Sequence, residues 1–268
     1  MRSALAAPLL AAALALGSCG GSTSAVTAKL ELRPGCQKTE FEDTPLTLCM
    51  ADPVLHTIRT SLGPADGKPW RNLATFAANR PADAQPVVFA FNGGMFDDDG
   101  QPIGYYVEDG DKKHSLNRAQ GPGNFHMMPN GVFYGSENQW HVKAAEDFFA
   151  NVTQRPQFGT QSGPMLVIGG DLHPKIDPNG QSERIRNAVG VDDKGRALFV
   201  ISDQPLSFGK LARFYRDELK VKNALFLDGT VSSLWDPENG RLDNGFPIGP
   251  LIVVEKRAKA PKNDIGAS

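Results

Sequence analysis

The stretch Asn223-Ala-Leu-Phe-Leu-Asp228-Gly229-Thr-Val-Ser232-Ser233 decides how this chain is interpreted. Its first half is a short apolar run, which is typical of a buried strand. A carboxylate, a glycine and two hydroxyl groups follow this strand closely. A rigid strand that ends in an acid fixes that acid at the rim of a sheet, where active sites are often built. The alternative is a plain Asp-Gly turn after the strand.

Two other segments have the same design. The apolar run Val87–Phe91 leads into Asn92-Gly93-Gly94, and Thr160-Gln161-Ser162-Gly163-Pro164 precedes the apolar run Met165–Ile168. Each of these expected strands carries Asn or Ser beside glycine at one end. If the three ends converge, they form one polar pocket walled by backbone amides. We therefore expect a functional site where these strand ends meet.

Strand patterns outnumber helix patterns along the chain. The clearest hairpin joins Val189–Val191 to Arg196–Ile201, a second is predicted between Leu46–Met50 and Leu55–Ile58, and Ser207–Lys220 has helical periodicity. The 28 glycines and 20 prolines among 268 residues favour many loops and short strands over a helical bundle. The predicted fold class is α+β, with a mixed, largely antiparallel β-sheet core and a few flanking helices.

The N-terminus predicts export. Arg2 precedes the apolar stretch Leu5–Leu16, which is too short for a transmembrane helix, and Leu16-Gly17-Ser18-Cys19 resembles a bacterial lipobox. We expect a lipoprotein signal peptide over 1–18, an acylated tether over 19–35 that begins at Cys19, a domain over 36–255 and a flexible tail over 256–268. The alternative is an ordinary secretory signal with an incidental cysteine.

These features predict an envelope lipoprotein that contacts the membrane only through its lipid anchor. Gly20 follows Cys19. Without an aspartate there to retain the protein at the inner membrane, an outer-membrane location facing the periplasm is favoured in a Gram-negative host. The two other cysteines, Cys36 and Cys49, form a leftover pair, for which a disulfide is the most economical state in an exported protein.

Charge and composition exclude several classes of function. The net charge of −2 and the absence of basic runs give nucleic-acid binding no electrostatic support. The five histidines show no metal-binding spacing, so we predict no metal site and identify no cofactor. The run Asp97-Asp98-Asp99 leaves a calcium ligand set open as an alternative to an acidic surface loop. The oligomeric state is not predicted.

Two charged residues are the leading candidates for chemistry. Asp228 is the leading carboxylate, and Arg186, which lies immediately before an expected buried strand, is the leading cation. A buried arginine requires an anion, which here is either Asp228 or a phosphate group of a ligand. A structural ion pair is the alternative reading of Arg186.

Polar residues around these two extend the predicted site. Asn92, Gly93 and Gly94 offer an amide side chain and backbone N–H groups for phosphate oxygens, although Asn-Gly also favours a type I′ hairpin turn. Ser162 is a candidate nucleophile or hydrogen-bond donor, but no Gly-x-Ser-x-Gly elbow surrounds it. Asn124 is expected to line the pocket.

Six motifs appear in one order, and together they resemble a known family. They are Phe91-Asn-Gly-Gly-Met-Phe-Asp97, Gly123-Asn-Phe125, Pro129-Asn-Gly-Val-Phe-Tyr134, Thr160-Gln-Ser-Gly-Pro-Met-Leu-Val167, Ile185-Arg-Asn-Ala-Val-Gly-Val191 and Ala224-Leu-Phe-Leu-Asp-Gly-Thr-Val-Ser-Ser233. This order resembles the phosphodiester glycosidase domain family, to which the animal uncovering enzyme belongs. The resemblance covers roughly residues 36–255, and the bacterial envelope branch is the nearest match.

The resemblance implies a hydrolase that cleaves sugar-1-phosphate diesters in envelope or extracellular glycans. Asp228, Arg186 and Asn92 are the predicted catalytic residues. The predicted substrate-binding residues are Gly93, Gly94, Asn124, Gln161, Ser162, Gly163, Asn187, Gly229, Ser232 and Ser233. This chain has Asp228-Gly-Thr-Val-Ser-Ser233 where the animal branch has Asp-Gly-Gly-Gly-Ser-Ser, which puts the animal substrate in doubt. A non-catalytic lipoprotein that binds glycans or phosphoglycans is the alternative function.

Overall fold

The structure is a computed structural model that describes residues 30–64 and 68–258. The predicted signal peptide, Cys19, most of the tether and the tail beyond Ala258 lie outside the described residues, so the expectations for them stay predictions. Residues from Leu32 onward form one compact unit. Within the described residues, no helix combines the length and the apolar character needed to span a membrane.

The described residues form seventeen strands. The first nine are β1 (Gly35–Phe41), β2 (Thr44–Ala51), β3 (His56–Ser61), β4 (Val87–Asn92), β5 (Tyr106–Glu108), β6 (Asp111–His114), β7 (Gly131–Ser136), β8 (Gln139–Ala144) and β9 (Phe158–Ser162). The others are β10 (Met165–Ile168), β11 (Asp171–Leu172), β12 (Asn187–Val191), β13 (Ala197–Ser202), β14 (Asn223–Phe226), β15 (Leu234–Asp236), β16 (Arg241–Leu242) and β17 (Leu251–Lys256).

Three short α-helices accompany the strands: α1 (Leu73–Ala78), α2 (Ala145–Asn151) and α3 (Phe208–Arg213). The helix predicted over 207–220 is α3, which continues as a π-helical segment over Phe214–Glu218. Its first turn is capped by Ser207, whose hydroxyl accepts a hydrogen bond from the Lys210 N–H at 3.1 Å. Two 3₁₀ turns, Asn124–His126 and Gly229–Val231, lie in segments that carry predicted site residues.

The strands form three sheets. A seven-stranded sheet has the order β1-β2-β13-β12-β14-β10-β11, and two five-stranded sheets have the orders β16-β15-β4-β17-β3 and β6-β5-β9-β7-β8. Every strand pairing within these sheets is antiparallel. This architecture confirms the predicted α+β class with a largely antiparallel core.

The main hydrophobic core lies where the three sheets meet. Phe199 of β13 contacts Phe89 and Phe91 of β4 at ring-centroid distances of 5.4 and 5.3 Å. It also contacts Phe133 of β7 at 5.6 Å, so one side chain touches all three sheets. These aromatic rings are almost completely buried. Each contributes roughly 1.5–3 kcal/mol to folding through the hydrophobic effect, and together they hold the sheets at fixed relative positions.

Two local predictions are confirmed and two are corrected. The β12–β13 hairpin forms as predicted, and Cys36 and Cys49 pair as a disulfide across β1 and β2. The predicted hairpin between β2 and β3 is wrong, because β2 pairs with β1 and β13 whereas β3 pairs with β17 in another sheet. The predicted tail begins too early, because Lys256 still pairs with His56 in β17.

Candidate active site

The ends of strands from all three sheets converge at one place. Asn92 at the end of β4 lies against Asn187 at the start of β12, 2.7 Å from Asn187 Nδ2 to Asn92 Oδ1. The segment after β9 joins them, because the Phe226 N–H of β14 donates to the Pro164 carbonyl at 3.1 Å. The three segments with Asn, Ser or Asp beside glycine therefore meet, as the sequence pattern predicts.

Asn92 is the hub of a hydrogen-bond network at this junction. Its side chain is 1% exposed. Besides the bond from Asn187, Oδ1 accepts from the Ser233 N–H at 2.9 Å, and Nδ2 donates to the Asp228 carbonyl at 2.8 Å. One amide group thus ties β4, β12 and the segment after β14 together. Because these bonds are made within the protein, Asn92 is suited to position the acid-bearing segment.

The residues after Asp228 form a tight, internally bonded turn. The Ser232 hydroxyl lies 3.2 Å from Asn187 Oδ1 and 3.0 Å from the Gly229 carbonyl, and the buried Ser233 hydroxyl donates to Val231 at 2.8 Å. A Cβ atom at Gly229 would lie 2.4 Å from the Phe226 ring, so only glycine fits there. The predicted binding residues Asn187, Gly229, Ser232 and Ser233 are therefore grouped beside Asp228.

Asp228 itself is partly exposed and makes one side-chain hydrogen bond. Its carboxylate caps the 3₁₀ turn by accepting from the Thr230 N–H at 3.3 Å. Burial raises the pKa of Asp228, and the bond from Thr230 lowers it by a smaller amount. A partly desolvated carboxylate without a neutralising cation is more basic and more reactive than one in water.

Arg186 is a buried cation that has no carboxylate partner among residues 30–64 and 68–258. It is 3% exposed, and its guanidinium lies 3.6 Å over the Phe208 ring. Its Nε donates to the Leu206 carbonyl at 3.0 Å and its Nη2 to the Ser182 carbonyl at 2.9 Å. Burial, followed by the charge of Arg184, lowers the pKa of Arg186 to about 10, so it stays protonated at neutral pH.

Arg186 and Asp228 lie just outside the paired ends of β12 and β14. Ala188 pairs with Phe226, and the Leu227 N–H donates to the Asn187 carbonyl at 3.1 Å. No nitrogen of Arg186 lies within 4.0 Å of an Asp228 carboxylate oxygen, so the predicted ion pair between them does not form, and a ligand phosphate stays the other predicted partner of Arg186.

The expected phosphate cradle at Gly93 and Gly94 is not formed. The Gly93 N–H donates to the Pro250 carbonyl at 2.6 Å, and the Gly94 N–H donates to the Thr160 hydroxyl at 3.0 Å. A Cβ at Gly94 would lie 2.0 Å from the Gln161 carbonyl. The two glycines allow close packing of the backbone between β9 and the chain before β17. The alternative type I′ turn is also excluded, because neither Asn92 nor Gly93 has a positive φ.

Gln161 and Ser162 are both buried, but they differ in their bonding. Gln161 Oε1 accepts from the Tyr105 and Asn117 N–H groups, and Nε2 donates to the Asn117 carbonyl and to Asn130 Oδ1. All four hydrogen-bonding positions of this amide are used, so Gln161 has none left for a substrate. The Ser162 hydroxyl is completely buried and has no hydrogen-bond partner in the described part of the chain. Because this hydroxyl is inaccessible to solvent, Ser162 is not exposed to act as a nucleophile.

The 3₁₀ turn Asn124–His126 covers Gly163. A Cβ at Gly163 would lie 2.9 Å from the Phe125 carbonyl and 3.2 Å from that of Asn124. The side chain of Asn124 is partly exposed and makes no hydrogen bond within the described part of the chain, so it remains available at the site's edge. Asn130, which the sequence pattern did not single out, is fully buried, and its side-chain amide donates to the Phe125 carbonyl at 3.0 Å.

Within residues 30–64 and 68–258, no group of three or more His, Cys, Asp or Glu side chains is arranged to hold a metal ion. Asp97, the first residue of the acidic run, shapes a turn instead. Its carboxylate accepts from the Gln101 N–H at 2.8 Å, and its carbonyl accepts from Gly100 at 2.9 Å.

The fold and site define a class of protein: a three-sheet antiparallel domain with an acid and a buried arginine on neighbouring strand ends. The chain belongs to the phosphodiester glycosidase family, whose family model matches residues 85–255. It is 36% identical over 193 residues to the uncharacterized protein YigE of Escherichia coli (strain K12), covering 72% of this chain and 75% of YigE.

Two solved structures are similar in fold. One is the zebrafish N-acetylglucosamine-1-phosphodiester α-N-acetylglucosaminidase catalytic domain auto-inhibited by its pro-peptide, with a TM-score of 0.56, 16% identity, and coverage of 83% of this chain and 82% of that one. The other is a putative exported protein from Burkholderia pseudomallei K96243, with a TM-score of 0.49, 11% identity, and coverage of 79% and 74%.

Proposed function

We propose that the protein is a hydrolase that cleaves the sugar C1–O bond of sugar-1-phosphate diesters in envelope or extracellular glycans. Family membership supports the reaction class. The observation that carries the proposal is Arg186, a buried cation that no carboxylate of the described residues neutralises, just outside the strand ends beside which Asp228 also lies. An unpaired buried charge is costly, and a substrate phosphate would supply the missing anion.

The chemistry of the substrate explains why one carboxylate suffices. Ordinary glycosidases need two carboxyl groups because a sugar alkoxide leaves poorly unless it is protonated. A phosphate monoester leaves as a stabilised anion, so the acid that protonates the leaving group is dispensable. What remains necessary is a cation for the phosphate and a carboxylate beside the anomeric carbon, where positive charge develops.

In this mechanism Arg186 holds the phosphate through its planar guanidinium, and Asp228 acts at the anomeric carbon. Asp228 either stabilises the oxocarbenium-like centre or takes a proton from the attacking water. Burial raises the pKa of Asp228, which makes its carboxylate a stronger base for proton transfer. Asn92 contributes by holding the Asp228 backbone through its amide hydrogen bond. We assign it a positioning role.

The test uses nitrophenyl phosphodiesters of several sugars in both anomeric forms. C1–O cleavage releases nitrophenyl phosphate, which becomes coloured only after a phosphatase is added, whereas cleavage of the P–O bond to the nitrophenyl group releases coloured nitrophenolate directly. In ¹⁸O-labelled water, C1–O cleavage leaves the nitrophenyl phosphate unlabelled, whereas cleavage of the P–O bond to the sugar oxygen labels it. We expect phosphatase-dependent colour and a loss of about 10²–10³-fold in kcat for Asp228→Asn, as for removal of other groups that act directly on the transition state.

The same assay defines the outcomes that overturn the proposal. Tight binding of these diesters without turnover would support the non-catalytic glycan-binding function instead. Direct release of nitrophenolate would show P–O cleavage and refute the proposed bond. Turnover that survives in Asp228→Asn would remove Asp228 from the mechanism.

We further propose that the protein acts in the cell envelope as a lipoprotein anchored through Cys19. The apolar stretch Leu5–Leu16 and the following Gly17-Ser18-Cys19 support this location, and the Cys36–Cys49 disulfide is compatible with an oxidising compartment. Metabolic labelling with a radioactive fatty acid should mark the wild type but not Cys19→Ala. Equal labelling of both, or none of either, would refute the anchor.

A further inference from the structure

A second candidate site lies beside α2. A surface cavity of about 630 Å³ opens between this helix and strand β6, and none of the predicted site residues lines it. Its lining combines three basic side chains with three aromatic ones: Lys112, Arg118, Arg155, Tyr105, Phe148 and Phe149. Within the described part of the chain, no acidic residue lines it.

The charges in this cavity are separated from nearby acids by strand geometry. Lys112 lies on β6 between Asp111 and Lys113, and successive strand residues point to opposite faces. Asp111 and Lys113 pair with each other at 3.0 Å and line a different cavity. Lys112 therefore faces the basic cavity, and neither it nor the exposed Arg155 forms an ion pair with any residue that the structure describes. Both positive charges remain available to a ligand.

The aromatic side chains complement these charges. Phe149 is 62% exposed, although phenylalanine side chains are usually buried. The Arg118 guanidinium lies 4.2 Å from the centre of the Phe149 ring. Arg118 is itself fixed by Glu146, with contacts of 2.8 and 2.6 Å. The Arg118 guanidinium therefore contacts both the Phe149 ring and the Glu146 carboxylate. An exposed aromatic face in a cavity is suited to the apolar C–H face of a sugar ring.

One segment connects this cavity to the candidate active site. Ser115, Leu116 and Arg118 line the cavity, and Asn117 between them is bonded to the side chain of Gln161 at 2.9 and 2.7 Å. Gln161 directly precedes Ser162 and Gly163 at the junction of the strand ends. The cavity and the junction therefore share a wall. An adjoining cavity of about 390 Å³ shares Val152–Arg155 and lengthens the groove; none of its described lining residues is acidic.

We propose that this cavity binds an anionic segment of a polymeric glycan, such as a phosphorylated sugar unit several residues from the bond that is cleaved. Its role as a substrate subsite rests on the proposed function, whereas binding of the anionic glycan does not. The cations neutralise phosphate or carboxylate groups, and Phe149 packs on a sugar ring. The protein then prefers polymers to isolated diesters.

The experiment measures binding of phosphorylated dextran and of unmodified dextran of the same length to the intact mature protein by isothermal titration calorimetry. We expect binding of phosphorylated dextran that weakens with salt, because exposed charges are screened. Lys112→Glu combined with Arg155→Glu should weaken it at least about tenfold, since two attractions become repulsions. The matched control Lys113→Glu, on the opposite face of β6, should bind as the wild type does.

The outcomes separate this inference from the proposed function. Equal binding of both dextrans, equal loss in Lys113→Glu, or binding only to phosphatidylglycerol vesicles would overturn the cavity assignment. Thermal denaturation checks that each variant is folded, and Phe149→Ala gives a second variant that leaves the charges in place and should also weaken binding. Binding by the wild type without hydrolysis of any diester would overturn the proposed function and leave the cavity assignment intact.

Discussion

Replacing Asn92 by alanine tests whether this side chain stabilises the polar junction through its hydrogen bonds within the protein or contacts the substrate directly. The substitution leaves three partners without their hydrogen bonds: Asn187 Nδ2, the Ser233 N–H and the Asp228 carbonyl. Asn187 and Ser233 are almost fully buried, so bulk water does not readily replace the lost amide. A buried polar group left unsatisfied costs about 1–3 kcal/mol.

Three such groups give a sum of about 3–9 kcal/mol, which local rearrangement reduces. We therefore expect Asn92→Ala to lower the free energy of unfolding by about 3–5 kcal/mol. For a domain of this size each kcal/mol shifts Tm by about 2–4 °C, so Tm should fall by about 10 °C. Turnover of the diester should fall as well, because the Asp228 backbone loses its anchor.

The matched control is Asn124→Ala, which removes the same chemical group from a side chain with no hydrogen bond in the described part of the chain. Its free energy of unfolding should stay within about 0.5 kcal/mol of the wild type. Urea denaturation and thermal unfolding measure both variants. If Asn92→Ala unfolds within 1 kcal/mol of the wild type and changes only KM, the hub is not structural and Asn92 contacts the substrate directly.

Three further predictions follow from the same geometry. Burial raises the pKa of Asp228 in the folded state, so ionisation of this carboxyl opposes folding at high pH but not below the pKa that the group has in the unfolded chain. Asp228→Asn removes this cost and should raise Tm at pH 7 but not at pH 3. A Tm difference that does not depend on pH would refute this. Arg186→Met should abolish diester turnover but lower the free energy of unfolding less than Asn92→Ala does. The two hydrogen bonds of Arg186 are lost, but the cost of burying an unpaired charge is removed with them. Turnover that is retained in steady-state assays would contradict this. Removing the disulfide by Cys36→Ala together with Cys49→Ala should lower the free energy of unfolding, measured by urea denaturation, by about 3 kcal/mol, since the bond closes a loop of 13 residues. A decrease of less than 1 kcal/mol would count against the loop-entropy explanation.

The sequence predicts the converging strand ends well because each depends on a local pattern. Apolar runs such as Val87–Phe91 and Met165–Ile168 indicate buried strands, and the polar residues beside them must then lie at sheet edges. The same reasoning fails for the hairpin expected between β2 and β3. A short turn brings those two segments close, but their pairing is decided by β13 and β17, which lie far along the chain.

The bonding at the site could not be predicted for a related reason. The amide of Asn92 bonds to Asn187, 95 residues away, and to Asp228, 136 residues away. Such bonds depend on how two sheets pack against each other. Asn-Gly-Gly after a strand suggested an open cradle, whereas the observed glycines serve close contact with Pro250 and Gln161. The pattern of residue types in the sequence therefore predicts at which strand ends the polar groups lie, but not which groups they form hydrogen bonds with.

The turn that carries the acid shows how a departure from the family pattern changes the site. Where the animal branch has two further glycines, this chain has Thr230 and Val231. Val231 packs into a hydrophobic cluster with Leu73 and Ile248, while Thr230 is exposed and its N–H holds the Asp228 carboxylate. A turn anchored by a buried side chain loses less conformational entropy when substrate binds than a glycine loop does. The segment that follows Asp228 is therefore anchored to the hydrophobic cluster through Val231, and the Thr230 N–H holds the carboxylate against that segment.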